Sequence, residues 1–210
     1  MYLPRAFAET DLALLDALIE RDAFVTLVTV GDDGLPFASQ LPVIYRRSGG
    51  EVVLEGHWAR PDPQWRHAGQ ALAIVHGPHA YVSASWYPDK QQAGRVPTWN
   101  YAAAHLQGRL QVFDDEARLA ALVSELSDLH EARVGSDWRF DAGSDDERRK
   151  LRGVVGFRLV AERIELKAKL GQNHPQANMR AVAERLQRQG GREAEVAAMM
   201  SARLRDAHDG

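Results

Sequence analysis

Phe24-Val-Thr-Leu-Val-Thr-Val30, followed at once by Gly31-Asp-Asp-Gly34, decides how this chain is read. The heptapeptide is β-branched and alternates, as a half-buried strand does, and the glycine-bounded tetrapeptide is a hairpin turn signal. Outward from it the same grammar repeats. Pro36 to Arg46 continues as one or two strands with Pro42 as a bend, and Ser48-Gly-Gly50 turns the chain into a strand over Glu51–Gly56. Ala71–His76 and Tyr81–Ser83 read as strands separated by the punctuation of Gly77-Pro78, and His105–Phe113 and Val154–Leu166 as longer ones. Short strands joined by glycine-rich turns predict an antiparallel barrel or sandwich.

Helices frame this β region. Thr10 or Asp11 can cap a first helix carrying Leu12, Leu15, Leu18 and Ile19. Asp114-Asp-Glu opens a second, whose apolar face is Leu119, Leu122, Val123, Leu126 and Leu129. Ser136–Arg152 reads as a polar loop with one helical turn. From Pro175 the composition is helical, broken into two helices by Gly190-Gly191.

Composition excludes several classes. The 210 residues suit one domain with a helical appendage, and a formal charge of −3 disfavours broad binding to nucleic acid. The absence of cysteine removes disulfides, thiolate metal sites and cysteine nucleophiles. The apolar runs are too short to span a bilayer as helices, and the first residues show no apolar leader, so a cytoplasmic location is the expectation. After His174 six arginines face five acids, so the tail reads as a packing element.

Chemistry concentrates between residues 57 and 101, which hold seven of the ten Trp and Tyr residues and four histidines. Such a gathering suits a planar heterocyclic ligand, or else a barrel seam or dimer interface. Four irregular segments stand out. In Gly56-His-Trp-Ala-Arg60-Pro-Asp-Pro-Gln-Trp65, Arg60 can fork onto a phosphate and His57 can add a hydrogen bond; the plainer alternative pairs Arg60 with Asp62. Ser83-Ala-Ser-Trp-Tyr-Pro-Asp-Lys90 offers Ser83, Ser85 and Lys90 to a phosphate or sugar-alcohol chain, unless Ser85 merely caps a turn. Val96-Pro-Thr-Trp-Asn-Tyr101 presents Thr98, Trp99 and Asn100 from a stiff extended stretch. Lys167-Ala-Lys-Leu-Gly-Gln-Asn173 puts Lys167 and Lys169 on one strand face, followed by Gly171 and the amides of Gln172 and Asn173. His76-Gly-Pro-His79 has metal-like spacing but no adjacent carboxylate, and no P-loop, Rossmann or Gly-x-Ser-x-Gly motif is present. The acid pairs Asp32-Asp33, Asp114-Asp115 and Asp145-Asp146 fall in turns or at a helix start and read as solvated charge.

Taken together, Gly56-His-x-Ala-Arg60 with Pro63-Gln-Trp65, Gly77-Pro-x-Ala-Tyr81, Ser85-Trp-Tyr87 and Pro97-Thr-Trp-Asn-Tyr101 resemble the PaiB family of FMN-binding negative transcriptional regulators. The likeness runs from Met1 to about Asn173. It implies an α+β fold: a six- to eight-stranded antiparallel split β-barrel with peripheral helices, like that of pyridoxamine-phosphate oxidases. It implies an FMN-binding domain over 1–173 and a helical tail over 174–210, packed on the barrel or on the partner of a homodimer. It further implies Arg60 as phosphate ligand. Ser83, Ser85, Trp86 and Lys90, then Thr98, Trp99 and Asn100, then Lys169, Gln172 and Asn173 would complete the site, contributed by both chains of the dimer with FMN in the clefts between them, and Ser39 and Gln40 would flank the flavin ring. The chain departs from the family pattern at Gln40, where histidine is common, and at Leu166, Gly171 and His174, where glycine, serine and arginine are common. His57 and Tyr87 are candidates for acid–base work beside the flavin. The alternatives are a haem protein on the same barrel, with His57, His105 or His174 as axial ligand, and a DNA-binding repressor using Arg180, Arg185 and Arg188.

Overall fold

The Gly31–Gly34 turn closes as the sequence predicts. Gly34 adopts φ 76°, the Gly31 amide donates to the Leu35 carbonyl, and the Asp33 carboxylate accepts from the Leu35 amide. In this computed structural model, which describes residues 1–67 and 69–206, the strands are β1 (Ala8–Glu9), β2 (Phe24–Val30), β3 (Pro36–Pro42), β4 (Ile44–Ser48), β5 (Glu51–Ala59), β6 (Gly69–Val82), β7 (Thr98–Phe113) and β8 (Val154–Lys169). The helices are α1 (Ala13–Arg21), α2 (Glu116–Val134), α3 (Asp145–Lys150), α4 (Gln176–Gln189) and α5 (Gly191–Asp206). The expected tail over 174–210 is therefore described as far as 206, and its last four residues lie outside the described ones. The fold is mixed α+β with one eight-stranded antiparallel sheet, ordered β3-β2-β6-β7-β8-β5-β4, with β1 pairing with β8.

The three long strands carry the chain between two compact units. One unit comprises residues 19–75 and 105–164, and the other comprises 1–18, 76–104 and 165 onward. Two expectations change here. Gly77-Pro78 does not break a strand, because β6 runs through both residues. Glycine is needed there for close approach: a Cβ on residue 77 would lie 2.6 Å from the Ala102 carbonyl oxygen. Val96–Tyr101 is not irregular throughout either, since β7 begins at Thr98 and continues through the expected His105–Phe113 strand. β8 likewise extends past Leu166 to Lys169, so Lys167 and Lys169 are strand residues.

In the unit of residues 19–75 and 105–164, β2 alternates, with Val25, Leu27 and Thr29 buried. Pro42 ends β3, and Val43 donates to the Ala23 carbonyl before β4 begins. Asp115 caps α2, whose Leu122 and Leu126 pack on Ile44 and Phe113. Gln64 is fully buried in the turn that follows β5. Its Oε1 accepts from Trp58 Nε1 at 2.9 Å, and its Nε2 lies 2.9 Å from the Leu27 carbonyl, 3.1 Å from that of Phe37 and 3.2 Å from Thr29 Oγ1. One amide thus joins β2, β3 and β5.

In the other unit Asp11 caps the start of α1, accepting from the Ala13 amide. The tail helices pack on their own chain: Val182, Leu186, Val196 and Met200 share one core with Ala80, Val82, Tyr87, Ala168 and Leu170. Gly190 and Gly191, at φ 76° and 55°, make the break between α4 and α5. No helix among the described residues is long and apolar enough to cross a membrane.

Replacing Gln64 by Leu strands the Trp58 indole N–H in an apolar interior. The expected loss is about 3 kcal/mol of unfolding free energy, at the upper end for an unsatisfied buried donor, read as a lowered urea midpoint with unchanged m.

Candidate functional site

A cavity of about 340 Å³ opens in the unit that holds the tail, within the size range of small-ligand sites. Its wall combines Phe7, the loop Ala93–Pro97, Thr98 and Asn100 of β7, Lys169 of β8, and Gly171, Asn173 and His174 of the following turn. The third and fourth irregular segments of the sequence therefore meet at one place. Asn173 is exposed there, whereas Asn100 is 2% exposed.

Lys169 supplies the cation. Its Nζ donates to the Trp99 carbonyl at 2.9 Å and to Thr98 Oγ1, both neutral acceptors. Burial pulls its pKa down, and Lys167 on the same strand face adds to that while Tyr101 opposes it. Lys167 itself donates to the Tyr2 carbonyl and lies over the rings of Tyr2 and Tyr101, which accounts for its burial.

Asn100 is held by a thioether: its Nδ2 lies 3.4 Å from Met200 Sδ, while its buried Oδ1 has no partner among the described residues. His174 stacks on Tyr87 with ring centroids 4.9 Å apart. Its Nδ1 is buried without a partner, and burial first, then Arg95, hold its pKa below the usual histidine value. Burial pushes the Tyr87 phenol up. Gly171 sits at φ 81°, where any side chain would be strained, and directs the turn from β8 into His174. Gln172 spends its amide on that turn, accepting from the Leu170 amide at 2.7 Å and donating to the Ala168 carbonyl at 2.6 Å.

The Ser83–Lys90 segment folds largely on itself. It is Ser83, rather than Ser85, that caps the short turn over Ala84–Trp86, accepting from the Ser85 amide. The two hydroxyls lie 2.8 Å apart, and Lys90 Nζ donates to the Ser85 carbonyl at 3.1 Å. Trp86 packs against the tail core. Trp99, half exposed, forms an edge contact with Tyr81 and a tilted one with His79.

The remaining expected residues belong to the other unit. Arg60 forks onto backbone, with Nε donating to the Arg152 carbonyl at 2.7 Å and Nη2 to that of Val154 at 3.1 Å; its nearest acid is Asp114 at 3.8 Å. The alternative pairing with Asp62 gives way, because that carboxylate accepts from Ser39 Oγ and from the Gln64 amide. Gln40 is exposed on β3. His57 lies on β5 with its Nδ1 buried and unpaired, and burial lowers its pKa.

Sequence reasoning missed what shapes the cavity's loop. Arg95 grips Asp89 through Nε at 3.0 Å and Nη2 at 2.5 Å, and Asn178 of α4 donates to the same carboxylate at 2.7 Å. The Arg95 bond, with Asn178 assisting against burial, lowers the Asp89 pKa from 3.8 to about 2. A carboxyl depressed in the folded state stabilises it at neutral pH, and that contribution fades as pH falls from 3.8 through about 2. Arg95→Met is expected to move the Asp89 titration midpoint, followed by carboxyl ¹³C NMR, from about 2 toward 3.8.

Comparison with known proteins agrees with this architecture. Residues 1–163 match the family described as "Putative FMN-binding domain". The chain is 31% identical over 191 residues to the protease synthase and sporulation protein PAI 2 of Bacillus subtilis, covering 89% of each. Among solved structures, the FAD and haem binding protein of Mycobacterium smegmatis superposes with a TM-score of 0.56 at 21% identity, over 77% of this chain and 73% of that one. The flavocytochrome Anf3 of Azotobacter vinelandii does so at 0.54 and 14%, over 79% and 72%. At such identities these two structures speak to the fold alone, which is the split β-barrel. The chain belongs to the PaiB family of FMN-binding split-barrel proteins.

Proposed function

We propose that this protein uses FMN as a redox cofactor, with the cavity walled by Asn100, Lys169, Asn173 and His174 receiving the polar part of the flavin ring. The observation that carries the reading is the state of Lys169: a partly buried ammonium at a cavity wall, bonded among the described residues only to neutral oxygens. The unused capacity around it fits the cofactor. Lys169 offers a charged donor suited to a ring carbonyl.

Arg60 is proposed for the phosphate on the family resemblance, in which both chains of a dimer contribute to one FMN site, through the N–H groups that the two carbonyls leave free. Ser83, Ser85 and Lys90 remain candidates for the polyhydroxyl chain, Trp86 and Trp99 for the ring face, and Ser39, Gln40 and His57 for its surroundings. Gln172 supports the site indirectly, by fixing the turn that presents Asn173 and His174.

When bound, FMN supplies hydride and single-electron transfer at its ring. The protein's residues would orient it, with the Lys169 ammonium held for a ring carbonyl, where negative charge collects on reduction. A homodimeric assembly and a regulatory role form part of the same proposal and rest on family membership.

The haem reading has one observation in its favour: His57 and His174 each carry a buried Nδ1 with no partner. The arginines proposed for DNA are less available, since Arg188 bonds Glu184 and Arg180 bonds Gln176.

Titration of the apoprotein by flavin fluorescence quenching tests the proposal. Arg60→Ala is expected to weaken FMN about tenfold and leave riboflavin, which lacks the phosphate, unchanged; Lys169→Ala is expected to weaken both about tenfold. Wild-type protein that binds haem with a Soret band and does not quench FMN would overturn it.

A further inference from the structure

Three basic side chains, Arg95, Lys169 and His174, stand on the wall of the 340 Å³ cavity, and no acidic residue is among the described residues that line it. We propose that the cavity is an anion site, built for a ligand edge that carries negative charge on oxygen. Applied to the function proposed above, on which this step rests, the site holds the reduced flavin ring more tightly than the oxidised one.

The charges around the cavity decide which cation is available. Arg95 is matched by the Asp89 carboxylate, which grips it at two nitrogens. On the outer face of β8, Glu165 is engaged by the Met1 ammonium. Lys167 bonds the Tyr2 carbonyl and lies over the rings of Tyr2 and Tyr101. That leaves Lys169, whose partners among the described residues are the Thr98 hydroxyl and the Trp99 carbonyl. Neither oxygen carries a charge to set against the ammonium. A cation drawn partly out of water and bonded only to neutral groups retains a desolvation cost, which an anionic partner offsets.

A ligand can reach this cation. Lys169 is only partly buried, lines the cavity and makes its bond to the Trp99 carbonyl at an exposed position. An ammonium has three N–H groups, and two are spent, so one remains for a ligand oxygen. Half-buried His174 senses the same field: burial first, then Arg95 and Lys169, hold its pKa low against the opposing pull of Asp89. Phe7, Val96 and Pro97 give the wall an apolar part suited to the body of a ring. The oxidised flavin ring is neutral. Two electrons and one proton leave it with one negative charge, shared between N1 and the adjacent carbonyl oxygen. A cation at that edge favours the reduced ring and so raises its potential.

Acetate, which carries the charge without a flavin, and riboflavin, which carries the ring without a phosphate, test the two parts separately. Ligand-free wild type, Lys169→Met and Lys169→Arg are titrated with acetate at constant ionic strength while the His174 imidazole is followed by ¹H–¹³C NMR. Wild type is expected to respond saturably, and its His174 midpoint to rise, because the bound anion offsets Lys169 and Arg95. Lys169→Met should weaken acetate about tenfold or more, and Lys169→Arg, which keeps the charge, should restore it. At mildly alkaline pH, riboflavin bound to wild type should have a midpoint potential about 30 mV above that of the free molecule, which is tenfold tighter binding of the reduced ring for a two-electron couple; Lys169→Met should abolish the rise. No saturable response to acetate in wild type, a response unchanged in Lys169→Met, or bound riboflavin with an unraised potential overturns the inference. Acetate binding without any quenching of riboflavin overturns the flavin reading and leaves the anion site standing.

Discussion

The glutamine amide buried at residue 64 constrains everything built on the hairpin. It satisfies the indole N–H of Trp58 and spends its own two N–H groups on carbonyls of β2 and β3 and on the Thr29 hydroxyl. A fully satisfied polar cluster in a dry interior has one good geometry, whereas apolar contacts tolerate sliding. The hairpin is therefore held in register against the end of β5 by directional bonds as well as by burial. The same turn uses Asp62 twice, as its cap and as the acceptor for Ser39 on β3. Pro63-Gln-Trp65, which marks the family, thus earns its place through architecture: Trp65 Nε1 bonds the Arg60 carbonyl and closes the turn on itself.

Much of the fold was legible. Phe24–Val30 with its glycine turn, the second hairpin at Ser48–Gly50, the capped α2 and the glycine break before α5 all follow from local sequence, because alternation, left-handed turn residues and caps are local properties. Gly77-Pro78 misled, because close approach between strands looks the same in one dimension as a chain break. Thr98–Tyr101 was misjudged for a related reason: Pro97 marks the edge of a strand as well as the start of a loop.

The site was legible in part. Thr98, Asn100, Lys169 and Asn173 do share a cavity wall, and it was the family resemblance that grouped them. Phe7, Arg95 and Met200 did not stand out, since a lone arginine before a proline or a methionine in an amphipathic helix has no signature without its tertiary partner. Arg60 and Gln172 show the converse. Residue types suited to a ligand also suit backbone carbonyls, and here both have backbone partners. The match to the family model covers residues 1–163, and Lys169, Gly171, Asn173 and His174 follow it.

The two tryptophans that frame these observations give the protein a built-in pair of optical reporters. Trp58 is sealed from water with its indole bonded to Gln64, so its emission is that of an apolar interior. Trp99 is half exposed and lies between the cavity residues Thr98 and Asn100 in sequence, so a red-shifted emission is expected of it. In a variant that keeps only these two of the five tryptophans, unfolding of the hairpin and occupancy of the cavity would register at different wavelengths in one unlabelled sample.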